Sequence, residues 1–276
     1  MNLTSKTVIK NLLKKYQIRP SKRLGQNFLI NKSVIKKVIK ATELCSEDII
    51  LEIGPGIGTI TQELAKEAKK VITVEKDPKM VEILKEALKG FENIEVIQGD
   101  ILKYQISKIK DKKYKIVANL PFYITAPVIR KFLESENPPQ EMILIIQKEV
   151  AQRICAKPPK MNLLAVSVQF YSRPKIISYV SKKSFWPVPK VDSAIIQIIP
   201  PSSVYSSALF REQFFKIVKA GFSQPRKQLA NNLTNGLKLN KERVNLWLLK
   251  NNIQPSQRAE TLNVNDWINL TKTLDR

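Results

Sequence analysis

The sequence predicts an α/β fold, with a doubly wound and mostly parallel sheet followed by a small all-helical C-terminal domain. Two observations lead to this prediction. Between residues 31 and 156, short apolar runs of strand length alternate with amphipathic segments of helix length, a pattern typical of βαβ units. Beyond residue 203, the apolar residues recur at helical spacing only, which favours a second, helical domain.

The first half of the chain alternates between the two kinds of segment. Asn31 or Ser33 is suited to cap the first helix, and Pro78 is suited to the first turn of a later one. Each predicted strand is a short apolar run, and each predicted helix has apolar residues on one face. We predict strands at residues 49–53, 71–75, 94–98, 115–119 and 142–147, and helices at 31–44, 59–69, 78–89, 127–135 and 148–156.

The alternation of predicted strands and helices stops after residue 157. Three further strands, at 166–171, 175–180 and 193–199, are predicted without helices between them, so we expect antiparallel pairing at the sheet edge. Residues 200–203 (Pro-Pro-Ser-Ser) are typical of a linker. We predict C-terminal helices at 209–220, 226–232, 241–250 and 265–274, and three regions: a basic arm (1–21), a catalytic domain (22–200) and a helical domain (201–276).

Composition excludes several kinds of site. The 276 residues contain no histidine, which rules out Ser-His and Cys-His triads and histidine metal ligands. Cys45 and Cys155 are isolated and form no CxxC motif, so we expect no metal and a reducing, cytoplasmic compartment. The longest apolar runs have five residues, far short of the roughly 20 that a membrane span needs.

The charge is strongly positive and unevenly placed. Formal net charge is +23, and residues 1–42 hold eleven Lys and Arg but no Asp or Glu. Such a balance favours a polyanionic partner through counterion release. We therefore expect a nucleic-acid substrate, and an N-terminal arm that is mobile or touches that nucleic acid.

A glycine loop and two carboxylates follow predicted strands. Gly54-x-Gly56-x-Gly58 lies between a strand and a helix, where glycines allow close backbone approach to a ligand. Glu75 ends the next strand, where an acidic residue meets ribose hydroxyls. Asp100 follows the third strand and could accept a hydrogen bond from an adenine amino group, or simply cap a turn. Together they predict a nucleoside cofactor.

The turn Asn119-Leu120-Pro121-Phe122 follows the fourth strand. Pro121 stiffens the turn and restricts Leu120 to an extended conformation. The Asn119 side-chain oxygen and the Leu120 carbonyl can then point the same way, as two acceptors for an exocyclic NH2 group. Phe122 supplies a flat face for a base to stack on. We interpret these four residues as the catalytic turn for a planar, amine-bearing substrate.

These segments resemble the ribosomal RNA adenine N6-dimethyltransferases over roughly residues 20–270. The resemblance rests on five stretches that look like the family's N-terminal signature, cofactor loop, catalytic turn, late aromatic-proline motif and C-terminal basic segment. They are Lys22-Arg23-Leu24-Gly25-Gln26-Asn27-Phe28-Leu29, Glu52–Gly58, Asn119–Phe122, Phe185-Trp186-Pro187-Val188-Pro189-Lys190-Val191-Asp192-Ser193 and Phe222-Ser223-Gln224-Pro225-Arg226-Lys227-Gln228-Leu229.

The resemblance implies a Rossmann-like, S-adenosylmethionine-dependent methyltransferase. It would dimethylate two adjacent adenosines near the 3′ end of small-subunit (16S) rRNA within the maturing 30S particle, with a monomer as the default state. Phe122 and Phe185 would stack on the target base, and Lys22, Arg23, Arg226 and Lys227 are candidates for phosphate contacts. The cofactor residues would be Asn27, Leu29, Gly54, Glu75, Asp100 and Asn119, to which the glycine loop adds Gly56.

Two departures keep alternatives open. Many small-subunit members have Tyr where this chain has Phe122, and Phe is also seen in the large-subunit enzymes of the family. Pro225 replaces the first of two arginines common in its segment. The alternatives are a large-subunit rRNA methyltransferase, a DNA adenine methyltransferase, and a non-catalytic RNA-binding assembly or transcription factor. A NAD-dependent oxidoreductase is disfavoured, because the loop lacks the G-x-G-x-x-G spacing.

Overall fold

The structure, a computed structural model, describes residues 1–21, 24–109, 113–201 and 207–274. They contain a seven-stranded sheet of order β4-β3-β2-β5-β6-β9-β7 and a two-stranded ladder of β1 with β8. The strands are β1 (Phe28–Leu29), β2 (Ile49–Ile53), β3 (Lys70–Glu75), β4 (Ile94–Gln98), β5 (Lys115–Asn119), β6 (Glu141–Gln147), β7 (Arg173–Val180), β8 (Phe185–Trp186) and β9 (Ser193–Ile199).

Eleven α-helices accompany the strands in the described part of the chain. Those that follow the central strands cover the sheet, as expected for a doubly wound fold. They are α1 (Lys6–Lys15), α2 (Lys32–Thr42), α3 (Thr61–Leu64), α4 (Pro78–Ala87), α5 (Thr125–Leu133), α6 (Lys148–Ile154), α7 (Leu163–Tyr171), α8 (Ala208–Gly221), α9 (Leu229–Leu237), α10 (Lys241–Lys250) and α11 (Val264–Thr273).

The central strands are parallel and buried. β2 pairs in parallel with β3 and β5, β3 with β4, and β5 with β6, whereas β9 runs antiparallel to β6. All five residues of β2 are buried, as expected for a strand covered on both faces. The carboxyl ends of β2, β3, β4 and β5 therefore lie at one edge of the sheet.

The N-terminal segment is a packed helix rather than a mobile arm, whereas its contact with nucleic acid stays a prediction. Ser5 caps α1, and Ile9, Leu12 and Leu13 are buried on its inner face. These side chains join a core cluster with residues of β1, the glycine loop and α4. Burial of an amphipathic face stabilises a helix far more than its intrinsic propensity does, and the basic residues of α1 face outward.

The residues cluster into two compact units. One contains residues 1–151 and 175–200, and the other contains residues 152–174 and 201–276. The second unit therefore includes a segment that precedes the predicted break after Pro200. Of the predicted linker, Ser202 and Ser203 lie outside the described residues.

The prediction of a strand at 166–171 is wrong, because this segment belongs to helix α7. Asn162 caps the helix by accepting from the Ala165 amide at 3.0 Å. Phe170 stacks on Phe214 of α8 with ring centroids 4.1 Å apart. The valines and aromatics of α7 favour a strand intrinsically, but tertiary packing overrides so weak a preference.

The other C-terminal helices follow the prediction, with one shift. Helix α9 begins at Leu229 rather than at residue 226 and ends at Leu237 rather than at residue 232. Its start follows burial, because Leu229 and Ala230 are the first buried residues of the segment. The preceding residues form an exposed turn in which the Lys227 amide donates to the Gln224 carbonyl at 3.0 Å. Arg226 and Lys227 are therefore presented on a turn instead of on a helix.

Candidate active site

Four adjacent strand ends build one cavity of about 250 Å³. The glycine loop follows β2, Glu75 ends β3, Asp100 follows β4 and Asn119 ends β5. Ligands of open α/β sheets bind at such an edge. All seven predicted cofactor residues line this cavity: Asn27, Leu29, Gly54, Gly56, Glu75, Asp100 and Asn119.

The glycine loop has a backbone that other residues adopt only with strain. Gly54, Gly56 and Gly58 have φ angles of +64°, +59° and +87°, in the region that favours glycine. Nothing lies within 4 Å of a Cβ added at Gly54, whereas one at Gly56 would meet the Phe28 ring at 3.4 Å. The loop therefore keeps open space along the cavity wall.

Glu75 is locked to the loop. Its Oε2 accepts from the Gly56 amide at 3.1 Å, and its Oε1 accepts from the Asp77 amide at 2.9 Å. Burial raises the pKa of this carboxyl, and the hydrogen bonds from Asp77 and Gly56 partly offset that effect. Each carboxylate oxygen keeps further acceptor capacity, as a role toward ribose hydroxyls requires.

Asp100 is both a turn cap and a charged group at the cavity. Its Oδ1 accepts from the Leu102 amide at 2.9 Å, and its Oδ2 accepts from the Lys76 ammonium at 2.8 Å. The Lys76 ammonium holds the pKa of Asp100 below its ordinary value. Asp100 therefore stays an acceptor at neutral pH.

The Asn119 turn is tied down from two sides. The Leu120 amide donates to the Ile145 carbonyl on β6 at 3.0 Å. The Asn119 Nδ2 donates to the backbone carbonyl of Asn27 at 3.1 Å. Because the amide nitrogen is committed to Asn27, the hydrogen-bond network assigns the orientation of the Asn119 side chain, and its Oδ1 remains as the acceptor.

A second, small cavity of about 20 Å³ lies beside the same turn. Phe122 is 40% exposed, whereas Phe185 is 2% exposed and belongs to the core of the first unit. Gly25, Asn27, Asn119 and Pro121 line both cavities. The small cavity is lined by the four predicted catalytic residues and both predicted stacking residues, together with Gly25, Asn27, Pro189 and Ser193.

Two distant sequence segments meet at this wall. Phe28 and Leu29 of β1 pair with Trp186 and Phe185 of β8. Gly25, just before β1, has a φ of +64°, and a Cβ added there would lie 2.9 Å from the Pro121 Cβ. The N-terminal signature thus packs against the catalytic turn and, through Asn27, also orients Asn119.

Comparison with known proteins shows the family of the chain. The family model described as ribosomal RNA adenine dimethylase matches residues 17–276. The chain belongs to this family. The ribosomal RNA small subunit methyltransferase A of Dehalococcoides mccartyi is 42% identical over 260 residues, covering 94% of this chain and 89% of its own length. The protein of that name from Clostridioides difficile is 38% identical, covering 99% and 97%.

Two solved structures share the fold of this chain. A dimethyladenosine transferase from Plasmodium falciparum superimposes with a TM-score of 0.76 at 28% identity, covering 88% of this chain and 95% of its own. The 23S rRNA methyltransferase ErmE superimposes with a TM-score of 0.75 at 26% identity, covering 91% and 100%. The predicted resemblance and the predicted α/β methyltransferase fold are confirmed.

Glu52 of this dimethylase lies in the predicted cofactor-loop stretch Glu52–Gly58, but the sequence assigned it no role of its own. It is 2% exposed on β2 and lines the cofactor cavity, yet its Oε2 has no hydrogen-bond partner among the described residues. Burial raises its pKa to about 8. Thr59, which also lines the cavity, has a buried hydroxyl that likewise lacks a partner within the described ranges. A carboxylate inside the apolar run Ile49–Ile53 was the available signal.

The predicted phosphate-contacting residues are only partly described. Arg226 and Lys227 are exposed in the second unit, and Asn232 donates to the carbonyls of Gly221 and Gln224 at 2.7 and 2.9 Å, which braces their turn. Lys22 and Arg23 lie outside the described residues. Within the described ranges, no group of His, Cys, Asp or Glu could hold a metal ion, and no helix is long and apolar enough to cross a membrane.

Proposed function

We propose that this dimethylase transfers methyl groups from S-adenosylmethionine to N6 of two adjacent adenosines near the 3′ end of small-subunit rRNA. The observation that carries the proposal is the position of Asn119, which lies in the wall shared by both cavities with its amide oriented by Asn27. One cavity suits a nucleoside cofactor and the other a base edge. The relatives named small subunit methyltransferase A support the small-subunit target.

The residues of the larger cavity fit S-adenosylmethionine. Glu75 suits the ribose hydroxyls, Asp100 suits the adenine amino group, and the glycine loop leaves room for close approach. The unpartnered Oε2 of Glu52 suits an ammonium group, because a buried acceptor without a partner costs free energy until one binds. When bound, S-adenosylmethionine supplies an electrophilic methyl group.

The small cavity suits the amino edge of a purine. At about 20 Å³ it takes only a group the size of a water molecule or slightly larger. The ring of the base would then lie over Phe122, and the adenosine must leave its stack to reach it. Phe185 would contact the base only with the edge that lines this cavity.

Catalysis would depend on positioning the N6 nucleophile more than on acid–base chemistry. The Asn119 Oδ1 and the Leu120 carbonyl would each accept one N6 hydrogen, which favours a more tetrahedral nitrogen with an available lone pair. Holding this nucleophile in line can contribute roughly 7–11 kcal/mol. No histidine is present to act as a base, so the N6 proton would leave to water after transfer.

Transfer of labelled methyl tests the substrate class. Under-methylated small subunits, mature large-subunit RNA and double-stranded DNA are each incubated with the protein and radiolabelled S-adenosylmethionine. We expect label in the small subunits alone. Label in large-subunit RNA alone would move the protein to the branch that contains ErmE, and RNA binding without any transfer would favour an assembly factor. A cytoplasmic monomer remains the expectation for its working state.

A further inference from the structure

Three of the seven strands of the sheet extend beyond the cofactor cavity. The cavity lies over the ends of β4, β3, β2 and β5, whereas β6, β9 and β7 continue the same sheet beyond Asn119. Asp192, just before β9, joins these strand ends: its carbonyl accepts from the Lys148 amide at 3.0 Å, and its Oδ1 accepts from the Lys182 amide at 2.9 Å. The residues that follow β6 and β7 therefore lie together at this edge.

This distal edge combines exposed apolar and basic side chains. Tyr179 is 53% exposed, and the Lys148 ammonium lies 5.1 Å from the centroid of its ring. An ammonium over an aromatic ring is a favourable cation–π arrangement. We define the distal edge by six exposed residues: Lys148, Tyr179, Lys182, Lys183, Val188 and Lys190.

The distal edge is close enough to the catalytic turn to serve the same substrate. β7 is the third strand from β5, and neighbouring strands lie about 4.8 Å apart, so Tyr179 is roughly 14 Å from Asn119 across the sheet. A nucleotide chain whose target base is held at Asn119 can extend over this distance. Aromatic rings beside lysines are what sequence-tolerant binding of single-stranded nucleic acid uses.

We propose that Tyr179, with Lys148 beside it, is a stacking platform for an unpaired nucleotide that flanks the target adenosine. The proposal rests on the proposed function for the identity of the RNA and adds a binding residue to it. Lys182, Lys183 and Lys190 supply positive charge for the phosphates of the same strand. The platform contributes to RNA affinity and leaves the chemical step unchanged.

The test compares Tyr179→Ala with Tyr179→Phe, which keeps the ring. Affinity is measured by fluorescence anisotropy with a fluorescein-labelled single-stranded RNA that contains two adjacent adenosines. We expect Tyr179→Ala to raise Kd by roughly 5- to 150-fold, the value of one base stack, and Tyr179→Phe to match the wild type. On under-methylated small subunits, Tyr179→Ala should raise KM with kcat unchanged.

The results that would overturn the role of Tyr179 can be told apart from those that would overturn the proposed function. Wild-type Kd in Tyr179→Ala, or an equal loss in Tyr179→Phe, would overturn the platform. A loss on small subunits but not on free RNA would assign Tyr179 to a protein contact, which also overturns it. Leu246→Ala, which removes an exposed apolar side chain from the other unit, should leave Kd unchanged. If the wild type methylates no substrate, the proposed function fails while the Kd comparison still decides the role of Tyr179.

Discussion

At the residue scale, Asn119 depends on a backbone carbonyl 92 positions earlier in the chain. The Asn27 carbonyl holds the amide nitrogen, so the amide oxygen is available to accept an N6 hydrogen. We predict that Asn119→Ala lowers the single-turnover rate of methyl transfer by about 100-fold or more, as loss of one preorganised polar group at a reacting centre does. Rapid-quench measurement with labelled S-adenosylmethionine provides the rate.

The Asn119→Ala variant should still bind RNA. Its affinity for the fluorescein-labelled RNA and its melting temperature serve as controls, because Asn119 is only one of many contacts to the substrate and lies outside the core clusters. A variant that transfers methyl at the wild-type rate would exclude the acceptor role of Asn119.

Glu52 makes the stability of the protein depend on pH. Its pKa in the folded state is about 8, above the ordinary 4.5, because the side chain is buried. Between those pH values the folded state holds a proton that the unfolded state releases, so the free energy of unfolding falls as pH rises from about 5 to 8. We predict that Glu52→Gln removes this decline, so that its melting temperature exceeds the wild-type value most at pH 8.

Glu52→Gln should also weaken the binding of S-adenosylmethionine. A neutral amide cannot pair with an ammonium group as a carboxylate does, so calorimetry should give a higher Kd for S-adenosylmethionine, and the rise of wild-type affinity between pH 6 and 8 should disappear. Equal affinity in variant and wild type at pH 8 would remove Glu52 from the cofactor site. A difference in melting temperature between Glu52→Gln and the wild type that does not grow between pH 5 and pH 8 would contradict the raised pKa of Glu52.

At the element scale, the segment before β1 packs directly against the catalytic turn. Gly25 has a φ of +64°, and an added Cβ would lie 2.9 Å from the Pro121 Cβ. We predict that Gly25→Ala displaces Pro121 and lowers kcat, besides costing about 1–2 kcal/mol of stability for the left-handed backbone. Steady-state methylation and chemical denaturation measure the two effects.

Gly90→Ala is the matched control for the backbone strain. Gly90 has a φ of +106°, but nothing lies within 4 Å of its added Cβ. This variant should lose stability while its kcat remains that of the wild type. If both variants had the same kcat, the contact between Gly25 and the catalytic turn would not contribute to catalysis.

The elements differ in how well sequence predicts them. The strands β2, β4 and β5 are apolar runs whose neighbours in the chain are turns and helices, so their bounds follow from local pattern. The bounds of helix α7 do not follow from local pattern, because Val166 and Val168 favour strands, whereas the Asn162 cap and the packing of Phe170 on Phe214 of α8 favour the helix. The start of α9 was also set by burial of Leu229, which no local cap signals.

At the scale of the whole molecule, the net charge of +23 dominates the encounter with RNA. Binding that releases counterions from single-stranded RNA weakens with salt, with a slope of about −0.7 per phosphate neutralised. We predict that Arg226→Ala and Lys227→Ala each reduce the magnitude of the slope of log K against log salt by about 0.7–1. Anisotropy titrations over a series of salt concentrations measure these slopes.

Lys66→Ala is the control for general loss of charge. Lys66 is ion-paired with Glu63 at 2.7 Å, so its removal should leave the slope unchanged. If Lys66→Ala reduced the magnitude of the slope of log K against log salt as much as the other two variants do, the turn before α9 would have no special part in RNA binding.

Long-range pairings are what the sequence could not predict. The glycine loop, Glu75, Asp100 and Asn119 were found because parallel strands bring their carboxyl ends to one edge. The pairing of Phe28 with Trp186 joins segments that no periodicity connects, and so does the bond from Asn119 to Asn27. Glu52 was given no role of its own, although a carboxylate within the apolar run Ile49–Ile53 was a local signal that could have marked it.

The most direct measurement is to map the modified bases. Under-methylated small subunits are incubated with the protein and S-adenosylmethionine, and the rRNA is digested and analysed by mass spectrometry. The proposed function predicts N6,N6-dimethyladenosine at two adjacent positions of the 3′-terminal hairpin, and its absence with Asn119→Ala. Dimethyladenosine found only in large-subunit RNA, or in no RNA at all, would contradict it.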